Sequence, residues 1–248
     1  MSAAPLTHRG LIVPYTTQWT SEAVSLTGNP ALRLRTPPEG GRPYLAYLDE
    51  PAGREVRPHG VLWGRMPNTP GIGEPLFLGM NITRQKEVME RAGCGVCGGT
   101  GEVWMAPAMI WQEHLAEDGP GAAYETSDPP VCRSCIPLAI RQCPNLRQHG
   151  FVFLSVRKWS ISGVRGYLAD PHSHHVSDED VDVPLHGAVG YHPDRLRLTL
   201  AKGLLATLRG ITAHTDPDRA TGLGRRRGDE QRPAHARTAR IPAQRRGD

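Results

Sequence analysis

The sequence predicts an α+β fold in which short strands and few helices gather around a centre of four cysteines, followed by a disordered basic C-terminal tail. Three observations predict it. The 28 glycines and 23 prolines make up about a fifth of the 248 residues, a composition of short elements joined by many turns. Four of the five cysteines form two CxxC pairs, Cys94 with Cys97 and Cys132 with Cys135, and the flanks of the two pairs differ. The net charge of +4 belongs wholly to the last segment: nine Arg and five acidic residues lie between Asp216 and Asp248, against twenty basic and twenty acidic residues before it.

A hydrophobic fraction of 38% can build a core, and the composition excludes collagen-like, coiled-coil and wholly disordered chains. No apolar run reaches the roughly 18 residues that a membrane helix needs. The start MSAAPLTHRGLIVPY has no cationic segment followed by a long apolar one. The expectation is a cytoplasmic protein without membrane association. In a reducing compartment an odd number of cysteines is poor disulfide material, and CxxC pairs read as metal or redox sites.

Residues 1–80 form a strand- and turn-rich N-terminal region. Leu11 to Tyr15, Ala31 to Leu34, Tyr44 to Leu48 and Val61 to Trp63 read as short strands between turn signals such as Thr27-Gly-Asn-Pro and Pro70-Gly-Ile-Gly. Tyr44 to Leu48 is apolar at every position, as in a strand covered on both faces. Residues 81–150 form a metal-binding module that opens with a short helix from Thr83 to Arg91, capped by Thr83 and stopped by Gly93. Residues 151–215 read as a β-hairpin plus an amphipathic helix packed on that module. The hairpin joins Phe151 to Val156 and Val164 to Leu168 through Ser160-Ile-Ser-Gly163, and His172 to Val183 is a polar, acidic exposed loop. The helix runs from Asp194 to Arg209, where Leu196, Leu200, Leu204 and Leu208 recur every four residues between Pro193 and Gly210.

Residues 216–248 have only Leu223 and Ile241 as large apolar side chains, too few to offset the entropy of ordering. Arg225, Arg226 and Arg227 with Arg245 and Arg246 are suited to weak, salt-sensitive phosphate contact. The competing reading is a solvated extension: only three of the 29 basic residues are Lys, so the Arg bias runs through the whole chain.

The two CxxC pairs supply four thiolates, the complement of a tetrahedral zinc site, with the sulfurs about 2.3 Å from the ion. Cys94 and Cys97 sit in a Gly-rich turn, where Gly98 permits the tight bend of a metal knuckle. Glu102 to Trp104 and Met109 to Trp111 then read as a hairpin. Cys132 and Cys135 follow Pro129-Pro130 and open an apolar run, Ile136 to Gln142, whose Pro137 is tolerable only in a first helical turn. A knuckle, a hairpin and a helix whose first turn carries the last two ligands is the order of a treble-clef zinc finger. The predicted metal ligands are therefore Cys94, Cys97, Cys132 and Cys135, around one structural Zn²⁺. Iron has the same ligand preferences and stays open at this stage.

Cys143 lies about 12 Å along a continuous helix from Cys135, too far to share the ion, and reads as a small buried thiol. His114 reads as an exposed residue. His172, His174 and His175 beside Asp178, Glu179, Asp180 and Asp182 offer ligands for a second metal, but in a flexible loop.

The cysteine segment and its neighbours resemble a group of actinobacterial, streptomycete-like Cys-rich proteins with paired CxxC motifs. The likeness rests on Arg84, Arg91, Cys94, Cys97, Gly98 and Trp104, then Pro129, Pro130, Cys132, Cys135, Ala139, Cys143, Pro144 and Leu146. It extends over roughly residues 9 to 211. The resemblance implies the zinc assignment and a streptomycete-like origin, and carries no activity over to this chain.

The functional expectation is a non-enzymatic, zinc-stabilised binding or adaptor protein whose partner is a protein or a nucleic acid, the latter through weak non-specific contact by the tail. The alternative is a treble-clef nuclease of the His-Asn-His type. Such an enzyme needs histidines on the hairpin and helix, yet Glu102 to Trp111 contains none, nor does the helix after Cys135 before His149.

Overall fold

The computed structural model describes residues 5–51, 57–173 and 175–220. The N-terminal part carries β1 (Thr7–His8), β2 (Leu11–Ile12), β3 (Thr17–Trp19), β4 (Leu32–Arg35), β5 (Tyr44–Tyr47), β6 (Leu62–Trp63) and β7 (Pro75–Met80). Helix α1 (Ile82–Glu90) follows, then β8 (Trp104–Pro107), α2 (Ala108–Asp118), β9 (Tyr124–Thr126), α3 (Ile136–Gln142) and α4 (Pro144–His149). The C-terminal part is β10 (Phe151–Leu168), β11 (Val181–Pro184), α5 (Pro193–Arg197), β12 (Thr199–His214) and α6 (Pro217–Ala220). The mixed α/β character, with many strands and few helices, agrees with the sequence.

The molecule is organised on a six-stranded sheet in the order β11-β10-β12-β6, with β8 added to β10 and β9 added to β12. β10 and β12 run antiparallel from Phe153 opposite His214 to Leu168 opposite Thr199. The remaining pairs, β1 with β2, β3 with β7 and β4 with β5, are separate small ribbons. The three strands foreseen at Ala31 to Leu34, Tyr44 to Leu48 and Val61 to Trp63 coincide with β4, β5 and β6, and Leu45, Ala46 and Tyr47 of β5 are fully buried.

Several expectations give way to the structure. The segment Asp194 to Arg209 is a helix only over α5; from Thr199 it is the central strand of the sheet. A four-residue interval is two full repeats of a strand as well as about one turn of a helix, so the leucine spacing does not discriminate. Leu200, Ala201, Gly203, Leu204, Leu205 and Ala206 are all buried, the signature of a strand covered on both faces. The Phe151 to Leu168 stretch does not turn at Ser160 to Gly163. It continues as one strand, and a bulge between Ile161 and Gly163 absorbs the irregularity that reads as a turn in sequence. The expected hairpin over Glu102 to Trp111 is instead strand β8 leading directly into helix α2. The polar loop after His172 ends earlier than expected, since Val181–Pro184 pairs with β10.

Helix α1 starts one residue before the expected cap: Asn81, not Thr83, accepts hydrogen bonds from the Thr83 and Arg84 N–H groups. The helix docks on the sheet through Gln85. Its Oε1 accepts from Leu204 N–H at 2.9 Å, while Nε2 donates to the Leu204 and Ser127 carbonyls at 3.0 and 2.9 Å. A side-chain amide thus takes the place of a strand beside β12, and α1 in turn delivers the chain to the first cysteine pair.

Part of the presumed tail is built into the fold. Asp216 to Ala220 forms α6 and the turn before it, with Ala220 buried beside Phe153 and the cysteines. The rest of that segment, including Arg225, Arg226, Arg227, Arg245 and Arg246, lies outside the described residues. Among the described residues no helix is long and apolar enough to cross a membrane.

Candidate metal centre

The four cysteines of the two CxxC pairs converge. The sulfurs of Cys94, Cys97, Cys132 and Cys135 all lie within 4.8 Å of one another. Cys97 Sγ and Cys132 Sγ, from different pairs, are 3.7 Å apart. A tetrahedron of thiolates with metal–sulfur bonds of about 2.3 Å has an edge of about 3.8 Å, so this separation is that of two ligands on one ion. Among the described residues no other group of three or more His, Cys, Asp and Glu side chains is close enough to share an ion.

Local backbone bonds shape the first pair. Gly98 N–H donates to the Cys94 carbonyl at 2.8 Å, and Cys94 N–H donates to the Gly99 carbonyl at 2.7 Å. Gly98 has φ of 69°, and a Cβ there would stand 3.1 Å from the Tyr15 ring, so the bend needs glycine on two counts. Arg91 in the turn after α1 clamps the outside of the bend, donating to the Gly98 carbonyl at 2.6 Å and to Glu87 at 3.1 Å.

The second pair is set by a short bridge, Val103 against Val131, made by bonds in both directions at 3.1 and 2.8 Å. Cys132 then caps a single 3-10 turn ending at Cys135, and α3 begins at the next residue with Pro137 in its first turn, as the sequence leads one to expect. Strand β8, helix α2 and strand β9 fill the interval between the pairs.

The N-terminal region contributes a support that the sequence does not reveal. Tyr15 N–H donates to the Val96 carbonyl at 2.8 Å, and Thr16 binds the Gly95 carbonyl through both its N–H and its hydroxyl. Tyr15 hydroxyl donates to Glu87 at 2.6 Å, and burial, with that hydrogen bond second, pushes its pKa up to about 12. Tyr15, Glu87 and Arg91 line one wall of a cleft of about 780 Å³ beside the knuckle. The turn holding Tyr15 and Thr16, just before β3, is itself anchored by the buried pair Arg84 and Glu22. Arg84 spends all five of its N–H donors, on Glu22 twice, Asn68, and the Tyr15 and Thr17 carbonyls.

The electrostatics of the quartet favour a cation. Burial pushes the Cys94 thiol up to about 11. Burial, then the Cys132 hydrogen bond and the charges of the neighbouring sulfurs, push Cys135 higher still. Burial opposes ionisation of Cys132 too, but hydrogen bonds from Ser134 and Cys135 bring it below its ordinary value. Cys132 can therefore ionise readily while Cys94 and Cys135 resist. Four thiolates coexist here only with positive charge at their centre, the condition that a divalent ion meets.

The remaining candidates fall apart from this group. Cys143 caps the end of α3 and is half-buried rather than buried. His114 is not exposed as expected. It stands on α2 with its ring against Trp111 and Tyr124 and its Nδ1 3.0 Å from Asp118. His172 and His175 do not converge with Asp178 to Asp182 on a common point, and His174 lies outside the described residues. Comparison of the chain with protein-family models, with curated proteins and with solved structures finds no match to any of the three.

Proposed function

We propose that the chain is a non-enzymatic binding protein stabilised by one structural zinc ion on Cys94, Cys97, Cys132 and Cys135. The observation that carries this reading is the closed ligand set: four sulfurs within 4.8 Å of one another fill a tetrahedral shell and leave no position for substrate or water. A metal so enclosed acts on the fold rather than on a reactant. It ties two segments separated by 34 residues of chain, and in zinc-finger peptides such a site is worth roughly 10–16 kcal/mol. The arrangement reads as a treble-clef relative in which a strand and helix, β8 and α2, replace the first hairpin, and it suits an actinobacterial, cytoplasmic protein. The partner is a protein or a nucleic acid.

Metal analysis of the purified protein tests this. One zinc per chain is expected, lost together with the fold around it in Cys94→Ser or Cys132→Ser and retained in Cys143→Ser. Unchanged metal content in the first two variants, or stoichiometric iron, overturns the assignment. The nuclease alternative has no specific support, since His114 lies on a helix bonded to Asp118. Magnesium- or manganese-dependent plasmid cleavage that disappears on a His substitution would reinstate it.

A further inference from the structure

The central sheet has a waist. β8 pairs with β10 only as far as Leu154, and β11 joins β10 only from Gly163. On the other side β9 leaves β12 after Leu208. Between these limits the sheet is two strands wide, Ser155 to Lys158 against Arg209 to Thr212. Arg157, Lys158, Arg209 and Gly210 are all exposed there.

Three cations share this waist. Lys158 and Arg209 are direct cross-strand partners, so their side chains leave the same face. Like charges directly opposed cost stability, and no ion pair among the described residues neutralises either one. Arg209 reaches only the Ser160 hydroxyl, at 3.4 Å, and Glu125 on the adjoining β9 is taken by the Ser162 hydroxyl at 2.9 Å. Arg157 lies on the opposite face, seated across Gly210: a Cβ at position 210 would come within 2.8–3.1 Å of the Arg157 side chain. Beyond Ala220, which packs beside Phe153 at the end of this ribbon, the sequence continues with eight further Arg against three acidic residues.

Resting on the reading of the chain as a binding protein, we infer that this waist is the seat of the partner and that the partner is the phosphate backbone of a double-stranded nucleic acid. A polyanion relieves the opposed cations that the fold leaves uncompensated. A duplex fits better than a single strand, because the residues of the waist, Ser155 to Lys158 and Arg209 to Thr212, include no aromatic ring on which bases could stack. A two-stranded ribbon is also narrow enough to lie against a duplex groove. The contact is to backbone, so it is independent of base sequence.

The test is the salt dependence of binding by the full-length, metal-loaded protein to a short mixed-sequence duplex, to the matching single strand and to vesicles of anionic phospholipid. In the triple variant Arg157→Gln, Lys158→Gln, Arg209→Gln, the slope of log K against log salt should fall by about 2–3, at about 0.9 for each phosphate no longer neutralised. The single variants should each remove about 1, which keeps the test alive if the triple variant misfolds. Parental slope and affinity in the variants, tighter binding to the single strand, or equal binding to vesicles overturns the inference. Zinc is measured on the same preparation. A metal-loaded protein indifferent to duplex refutes the partner alone, whereas a metal-free, folded protein that binds duplex refutes the metal reading alone.

Discussion

Arg84 shows how far a single side chain can reach in this molecule. It is 2% exposed, its partner Glu22 is fully buried, and the carboxylate also accepts the Trp19 and Thr69 N–H groups. Removing one member of such a pair strands the other charge without water, so Arg84→Ala should cost about 3–5 kcal/mol in urea unfolding. A cost under about 1 kcal/mol would mean that Glu22 is rescued by solvent. Burial alone would raise the Glu22 pKa, but the Arg84 hydrogen bonds and the two backbone donors outweigh it and leave it below the ordinary 4.5. A carboxyl whose pKa is depressed by folding contributes stability that is complete above its unfolded value and lost as pH falls through its folded value. Stability should therefore drop as pH falls below about 4.5, and Glu22→Gln should remove part of that pH dependence while lowering stability near neutrality. At this scale the gathering of the four cysteines was legible, because CxxC is a local pattern whose spacing is its meaning. Tyr15 and Thr16 were not: they meet Gly95 and Val96 across some eighty residues, and no short-range pattern marks a turn that grips a knuckle.

Legibility at the scale of elements followed the same divide between local and non-local causes. The turn after Cys135 and the helix it starts were readable from Pro137, whose fixed φ suits only a helix beginning. Strand β12 was not, since Leu and Ala favour helix and only the flanking β10, β9 and β6 make the extended form the one that satisfies its backbone. Its stability is therefore tertiary in origin. Leu204, fully buried in the main core, should cost about 2–5 kcal/mol when cut to Ala, through reduced burial and the cavity left behind. Substitution on the exposed waist should act in the other direction. Lys158→Glu turns an opposed like-charge pair into an attractive one with Arg209 and should stabilise by about 0.2–1 kcal/mol, less at high salt. Thermal unfolding at low and high ionic strength reads this directly, and destabilisation at low salt would show that the two side chains diverge in solution.

For the molecule as a whole, two of the three cores, the third lying around Leu45, Tyr47, Leu62 and Leu200, divide the labour of stability near the metal centre. The larger one lies on the sheet and includes Trp104, Leu154, Val164, Leu204 and Leu208, all buried without help from a metal. The smaller one is Cys94, Val96, Val103, Val131, Cys132, Ile136, Phe153 and Ala220, in which the cysteines are themselves packing residues. Without an ion, that second core would hold thiols whose burial opposes ionisation, and it has few apolar residues to compensate. Metal removal should therefore act unevenly. Chelation is expected to abolish hydrogen-exchange protection from Gly93 to Val103 and from Val131 to Gln142, and to loosen Tyr15, Thr16 and α6, which lean on that core, while amides of β10 and β12 between Ile161 and Leu208 stay protected. The duplex contact inferred at the waist lies between these regions, so chelation should weaken it only to the extent that Phe153 and Ala220 lose their seat. Uniform loss of protection along β10 and β12 would show instead that sheet and metal centre form one cooperative unit, with the ion sustaining the whole fold.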